Sequence, residues 1–295
     1  MVGGRTSQFA RLRLHHQRIS IRRRPLRYNT NRHLSHKPTS HHHGKQVDSF
    51  NAEKITTEHD DSYHARIADS FRKYHSSQTP VILRGLARGC DAYYFWRSID
   101  YWRAAVDPEA PVDVELGLYN SGNRIPMRFA DYLNYLEEAK EGAKSGETAY
   151  LAQNEVFREV LKDLQIPRFC EDPTLSVGEG KLHHTMLWLG PKGTVSPLHF
   201  DPMDNILIQL VGSKRVRLFS PDSTQHLYAG NDGNQYNTSA VDIERPDLDK
   251  YPLFQEALPA LDCELDEGDS LFIPRKWWHH VRSVTMSASA NVWWR

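Results

Sequence analysis

The stretch SPLHFDPMDN, Ser196 to Asn205, sets a histidine and an aspartate two residues apart just after a proline. On a strand, residues i and i+2 point to the same face, so His199 and Asp201 would converge on one point. An imidazole and a carboxylate aimed at one point are two thirds of a small metal site. The third ligand has to come from another strand, and GDSLFIPRKWWHHVRSV, Gly268 to Val284, offers one. Its second half puts Trp277, His279, Val281 and Ser283 on one face and Trp278, His280 and Arg282 on the other. The first face is the more apolar, so His279 is expected to point inward and His280 outward.

Two histidines and one carboxylate on one face of an octahedral ion leave three positions open, the arrangement of non-haem Fe(II) oxygenases. Zinc also accepts these ligands, and the residue types do not choose between the two metals. A 2-oxo acid would fill two open positions, with dioxygen in the third. Its far carboxylate would then need a buried cation. NILIQLVGSKRVRLFSP, Asn205 to Pro221, reads as strand, turn and strand with the turn at Gly212-Ser213. In the second strand Lys214 shares a face with Val216 and Leu218, while Arg215 and Arg217 take the other with Phe219. Lysine is seldom buried without a partner, so an inward Lys214 suggests an anion held inside. The alternative is a lysine at the strand end that snorkels to water.

These side chains need a scaffold of short strands. From Tyr150 onward the sequence is cut into short apolar segments bounded by Gly, Pro and Asp, the habit of a sandwich or barrel. Before it, residues 58–75 read as a helix with Ile67, Phe71 and Tyr74 at helical spacing, Thr79 to Ala87 as a buried strand, and 129–141 as a second helix. Gly230 to Pro252 is long and polar and is expected to cover one end of the fold. The expected organisation is a basic tail over 1–47, a helical and mixed region over 48–148 that packs on the barrel, and a β core over 149–295.

Composition narrows the function classes. Residues 1–47 hold nine Arg, two Lys and no acidic residue, so the rest carries 26 basic against 37 acidic residues. The acid-free, Arg- and Ser-rich tail has the marks of a mitochondrial transit segment, with RHLS, Arg32 to Ser35, resembling a cleavage site. Otherwise it is a disordered basic tail, His41 to His43 included, or a nuclear-targeting cluster at Arg22 to Arg24, which would place the protein in the nucleus or cytoplasm. The acidic body suits a basic partner and disfavours general nucleic-acid binding. No run approaches the roughly 20 apolar residues of a membrane span. Three widely spaced cysteines, Cys90, Cys170 and Cys263, argue against a disulfide framework and for a reducing compartment.

Taken together, TPVILRGLA (79–87), AYLAQ (149–153), WLGPKGTVSPLHFDPMDNILIQLVGSKRVRLFSP (188–221), NTSAVD (237–242), GDSLFIPRKWWHHVRSV and SASANVWWR (287–295) resemble the JmjC domains of the cupin superfamily. Among these, the likeness is to the small hydroxylase subgroup typified by jumonji-domain protein five. The resemblance implies a mainly β protein, a double-stranded β-helix or jelly roll, with flanking N-terminal helices. It implies Fe(II) as cofactor and 2-oxoglutarate and O2 as cosubstrates, with succinate and CO2 released. His199, Asp201 and His279 match the metal ligands and Lys214 the partner of the far carboxylate. Tyr150, Ser196, Asn205 and Trp293 match positions around the cosubstrate, and Trp188 a pocket-region aromatic. Tyr150 and Trp293 could instead be core aromatics, Asn205 a turn residue and Ser196 a strand-entry hydroxyl, and Trp188 could serve core packing. His280 departs from the aromatic residue expected beside the ligand. With no chromatin-reading module or Cys-rich insertion in the sequence, the implied activity is hydroxylation of a basic protein side chain, arginine among the candidates. An RNA base, a small molecule or N-methyl-lysine are the alternative substrates, and a non-catalytic cupin-like scaffold is the alternative to an enzyme. The Trp-rich C-terminus implies a homodimer contact.

Overall fold

The computed structural model of the chain describes residues 45–55, 57–117, 123–140, 148–230 and 236–295. The transit-segment features of the tail, and His41 to His43, lie outside the described residues. Five helices are described: α1 (Asp60–Ser76), α2 (Asp91–Phe95), α3 (Ile99–Ala105), α4 (Phe129–Lys140) and α5 (Arg158–Leu161). The early strands are β1 (Lys45–Gln46), β2 (Asp48–Asn51), β3 (Val81–Arg84), β4 (Pro111–Leu116), β5 (Arg124–Arg128) and β6 (Ala149–Glu155). The later ones are β7 (Leu182–Gly190), β8 (Val195–Phe200), β9 (Asp204–Val211), β10 (Lys214–Phe219), β11 (Leu261–Leu265), β12 (Ser270–Ile273), β13 (Trp278–Ser283) and β14 (Ser287–Trp294).

The strands form two sheets, one ordered β1-β11-β10-β13-β8 and the other β2-β3-β12-β9-β14-β7-β6-β4-β5. This is the jelly-roll cupin arrangement expected from the motifs. Two strand–turn–strand units differ in kind from simple hairpins. β9 pairs with β12 and β14, while β10 pairs with β11 and β13. The Gly212-Ser213 turn therefore carries the chain from one sheet to the other, and the turn between β12 and β13 does the same. Lys214 consequently sits in the sheet that carries His199 and His279. Gly212 has φ +71°, and a Cβ there would lie 2.0 Å from the Met286 carbonyl oxygen, so only glycine fits.

The region before residue 149 is woven into this scaffold. β2 to β5 extend the larger sheet at both ends, and Lys45–Gln46, inside the expected tail, pair with Leu261–Asp262. α1 begins at His59, whose ring accepts from the Asp61 amide, and buries Ile67, Phe71 and Tyr74 as its spacing predicts. Phe71 is fully buried, with ring centroids 4.7 Å from Phe169, 4.8 Å from Phe272 and 6.3 Å from Trp294. Truncation there leaves a large cavity. Phe71→Ala is expected to lower the unfolding free energy by about 3–5 kcal/mol in urea titration, and a loss under about 1 kcal/mol would mean α1 is not part of the cooperative core.

The C-terminal tryptophans face inward, with Trp293 at 6 % and Trp294 at 0 % exposure. All three cysteines are buried and free. Among the described residues, no helix is long and apolar enough to cross a membrane.

Candidate active site

A cleft of ≈ 410 Å³ opens between the two sheets. His199 from β8, Asp201 one residue beyond it and His279 from β13 meet there, and their candidate ligand atoms lie within 4.8 Å of one another. His199 and His279 are directly opposed in register, with ring centroids 4.2 Å apart.

The tautomers follow from the hydrogen bonds. His199 Nδ1 lies 2.7 Å from the Pro197 carbonyl and His279 Nδ1 lies 3.0 Å from the Trp277 carbonyl. A carbonyl only accepts, so each Nδ1 carries the proton and Nε2 is the nitrogen able to ligate a metal. Burial, and then His199, hold the His279 imidazole below its usual value, so it is neutral at physiological pH. Asp201 Oδ2 accepts from Asn205 Nδ2 at 3.0 Å and from Trp293 Nε1 at 2.9 Å. Asn205 is in turn held by Asn291, whose Nδ2 donates to Asn205 Oδ1 at 2.8 Å. Two imidazoles and a locked carboxylate, with their candidate ligand atoms gathered at one point, fit a divalent metal ion.

Lys214 lines the same cleft at 2 % exposure. Its Nζ donates to Ser289 Oγ at 2.6 Å and to the Tyr150 hydroxyl at 3.4 Å, and it makes no ion pair among the described residues. Desolvation alone brings its ammonium down to about 7. Tyr150, Ser196 and Trp188 complete this wall, Tyr150 and Trp188 with centroids 5.7 Å apart. Gly190 makes that wall possible, because a Cβ there would lie 2.7 Å from the Tyr150 ring.

Seven of the eight expected site residues line the cleft and Asn205 lies outside that lining, and two of the eight act differently from expectation. Asn205 and Trp293 direct their N–H groups at the Asp201 carboxylate. Removing the indole donor is the milder way to loosen that ligand. Trp293→Phe is expected to weaken Mn(II) affinity about tenfold in calorimetric titration, and an unchanged affinity would show that Asn205 alone orients Asp201.

Two bulges aim residues that simple alternation misplaces. On β8, Ser196 pairs with Val281 and His199 with His279, so Pro197 and Leu198 face the single residue His280. The extra residue turns both Ser196 and His199 into the cleft, although their spacing of three would set them on opposite faces. On β6 the register shifts between Leu151 and Asn154, and Gln153, at φ +52°, lines the cleft. Sequence reading missed Gln153, Asn291 and Ser289. The available signal was the alternation in SASANVWW, whose Ser287, Ser289, Asn291 and Trp293 share one face.

His280 needs a correction. It does lie on the face away from the cleft, but it is buried at 7 % exposure, with Nε2 3.8 Å from Glu244 Oε1. Glu244, also paired with Arg282, belongs to the polar stretch whose Val241 and Ile243 pack against Leu198, Phe219 and Trp278. Residues 231–235 of that stretch lie outside the described residues. Its Thr238 forms a bridge to His199 and its Asn237 bonds Phe200, so it runs alongside the end of β8 that carries His199.

A jelly roll with a His-Asp-His cluster and an inward lysine defines the class. Residues 67–295 match the family described as Cupin-like domain, and the chain belongs to this family of JmjC oxygenases. It is 37 % identical to "Lysine-specific demethylase JMJ30" of Arabidopsis thaliana, over 76 % of this chain and 51 % of that protein. It is 36 % identical to "Lysine-specific demethylase 8" of Danio rerio, over 73 % and 53 %. A shorter match, 43 % identical over 33 % of this chain and 29 % of the relative, is to "tRNA wybutosine-synthesizing protein 5" of Mus musculus. The chain spans about half the length of the first two relatives. Fe(II) and 2-oxoglutarate are the cofactor and cosubstrate of the family, and the donor set described above is compatible with iron.

Proposed function

We propose that this chain is an Fe(II)- and 2-oxoglutarate-dependent dioxygenase that hydroxylates a side chain of a basic protein substrate, with arginine as the residue modified. The observation that carries the reading is Lys214. A buried cation whose side-chain partners among the described residues are hydroxyls, in a cleft that also gathers two imidazoles and a carboxylate, calls for an anion that also reaches a metal. A dicarboxylate with a keto group at one end meets both demands.

In this reading His199, Asp201 and His279 hold the iron, and Lys214 takes the far carboxylate with the hydroxyls of Tyr150 and Ser196 beside it. Asn205 and Trp293 keep Asp201 from rotating. Once bound, iron, 2-oxoglutarate and O2 supply oxidation of an unreactive C–H bond, with succinate and CO2 as by-products. The chain itself supplies position and dryness: Leu207, Ile273 and Val281 present apolar surface to the cleft, and Trp188 walls one side.

Charge supports a basic substrate. The stretch 220–260, which pairs with β8 beside His199 through Thr238, holds seven acidic residues in its sequence against Arg245 and Lys250, nearly half the acidic excess of the body. Steering by such a field favours cationic segments. The names of the plant and zebrafish relatives support a second reading, removal of N-methyl groups from lysine, and that of the mouse relative an RNA base. Incubation with a basic-peptide library and mass spectrometry separates them. A product one oxygen heavier on arginine is the expected result. Release of formaldehyde, or turnover with RNA alone, would replace the proposal.

A further inference from the structure

Behind the anion-binding wall lies a hydroxyl to which neither the motifs nor the proposed mechanism assigns a task. Ser289 is at 0 % exposure in β14, on the same face as Asn291 and Trp293 and outside the lining of the cleft. Its Oγ accepts from Lys214 Nζ at 2.6 Å, the shorter of that ammonium's two contacts. Lys214 and Ser289 come from different sheets, so this bond ties the lysine across the barrel.

Little else acts on the ammonium. Leu265 and Ser283 flank Lys214 in register, and the Ser283 hydroxyl accepts from Thr194. Glu267, in the turn between β11 and β12, accepts from the Gly212 amide of the turn that precedes Lys214 and lies 3.5 Å from Arg97. The other titratable groups lining the cleft are Tyr150, His199, Asp201 and His279. A neutral oxygen at hydrogen-bond distance is therefore the closest stabiliser of the charged lysine, since burial works against the charge.

We propose that Ser289 is the positioning residue of the anion site: it fixes the direction of the Lys214 ammonium and keeps it protonated for the incoming carboxylate. The inference rests on the 2-oxoglutarate reading above. A protonated lysine binds the dianion and a neutral one does not. Removing the acceptor oxygen makes the proton easier to lose, so affinity should begin to fall at a lower pH.

The test is calorimetric titration of 2-oxoglutarate into Mn(II)-loaded protein across pH 6 to 9, which involves no turnover. Ser289→Ala is expected to bind about tenfold more weakly above neutrality. At pH 6, where both proteins hold a charged lysine, affinities should approach each other, and the pH midpoint should move down by about one unit. Ser287→Ala removes a neighbouring hydroxyl that accepts from Gln209 and not from Lys214, and should leave the profile unchanged. A uniform loss at every pH, or an unchanged midpoint in Ser289→Ala, would overturn the role of Ser289 while leaving the cosubstrate reading intact. Absence of 2-oxoglutarate binding by the unaltered protein would overturn both.

Discussion

Replacing Lys214 by methionine is expected to weaken 2-oxoglutarate binding by at least about 100-fold and, in the same protein, to raise resistance to unfolding. The two effects share one cause. Lys214 is buried without a carboxylate, so the folded protein alone carries a large desolvation cost. Methionine has a similar shape and no charge, and swaps of buried charge for apolar residues stabilise by about 1–4 kcal/mol. With the ammonium gone, the incoming carboxylate has no counter-charge in a dry site.

The pH dependence has a definite sign. The folded lysine titrates at about 7, against about 10.4 when unfolded. Between those values the unfolded chain binds more protons, so stability rises with pH across that window and is flat with respect to this group below it. Urea titrations at pH 6, 8 and 10 should show the rise in the unaltered protein and its absence in Lys214→Met. A methionine variant that is less stable and still binds 2-oxoglutarate would mean that Lys214 has a carboxylate partner in solution and no part in anion binding.

The second large effect concerns the metal. His199→Ala removes one of the three proposed ligands and should lower Mn(II) affinity by about a thousandfold or more, with turnover falling to background. The fold should survive, because the β8–β13 pairing beside His199 is a backbone ladder continued at Val281 and Trp278. A metal that binds only the folded protein stabilises it by about 2.7 kcal/mol at a hundred times its dissociation constant. Saturating Mn(II) should therefore raise the melting temperature of the unaltered chain and not that of His199→Ala. Equal shifts in both would place the metal elsewhere.

How much of this was legible in the sequence depends on the length scale of the signal. The triad and the inward lysine were readable because His199, His279 and Lys214 lie on strands whose other residues declare a face, and Asp201 follows His199 by two residues. Helices α1 and α4 were readable from their apolar spacing. Alternation failed at the bulges, because one inserted residue reverses every face beyond it and leaves no mark in composition. Ser196 and His199 share the cleft for that reason, and Gln153 enters it for the same one. His280 was misplaced in burial because a strand's outer face looks solvent-exposed until a distant segment covers it, and Glu244 lies 36 residues before it in the chain. Sheet membership was equally hidden, since the turn at Gly212 reads the same whether its strands pair or part. The polar alternation of β14 was visible, but without Lys214 opposite it Ser289 had no apparent task.

Succinate formation by the purified chain with Fe(II), 2-oxoglutarate, ascorbate and O2, in the presence and absence of an arginine-rich peptide mixture, tests the central claim most directly. The account predicts succinate that rises with peptide, appears with an equal amount of oxygen-bearing product, and is lost in both His199→Ala and Lys214→Met. Succinate formed equally by the parent and either variant, or firm binding of Fe(II) and 2-oxoglutarate with no turnover on any peptide, nucleic acid or small molecule offered, would contradict it.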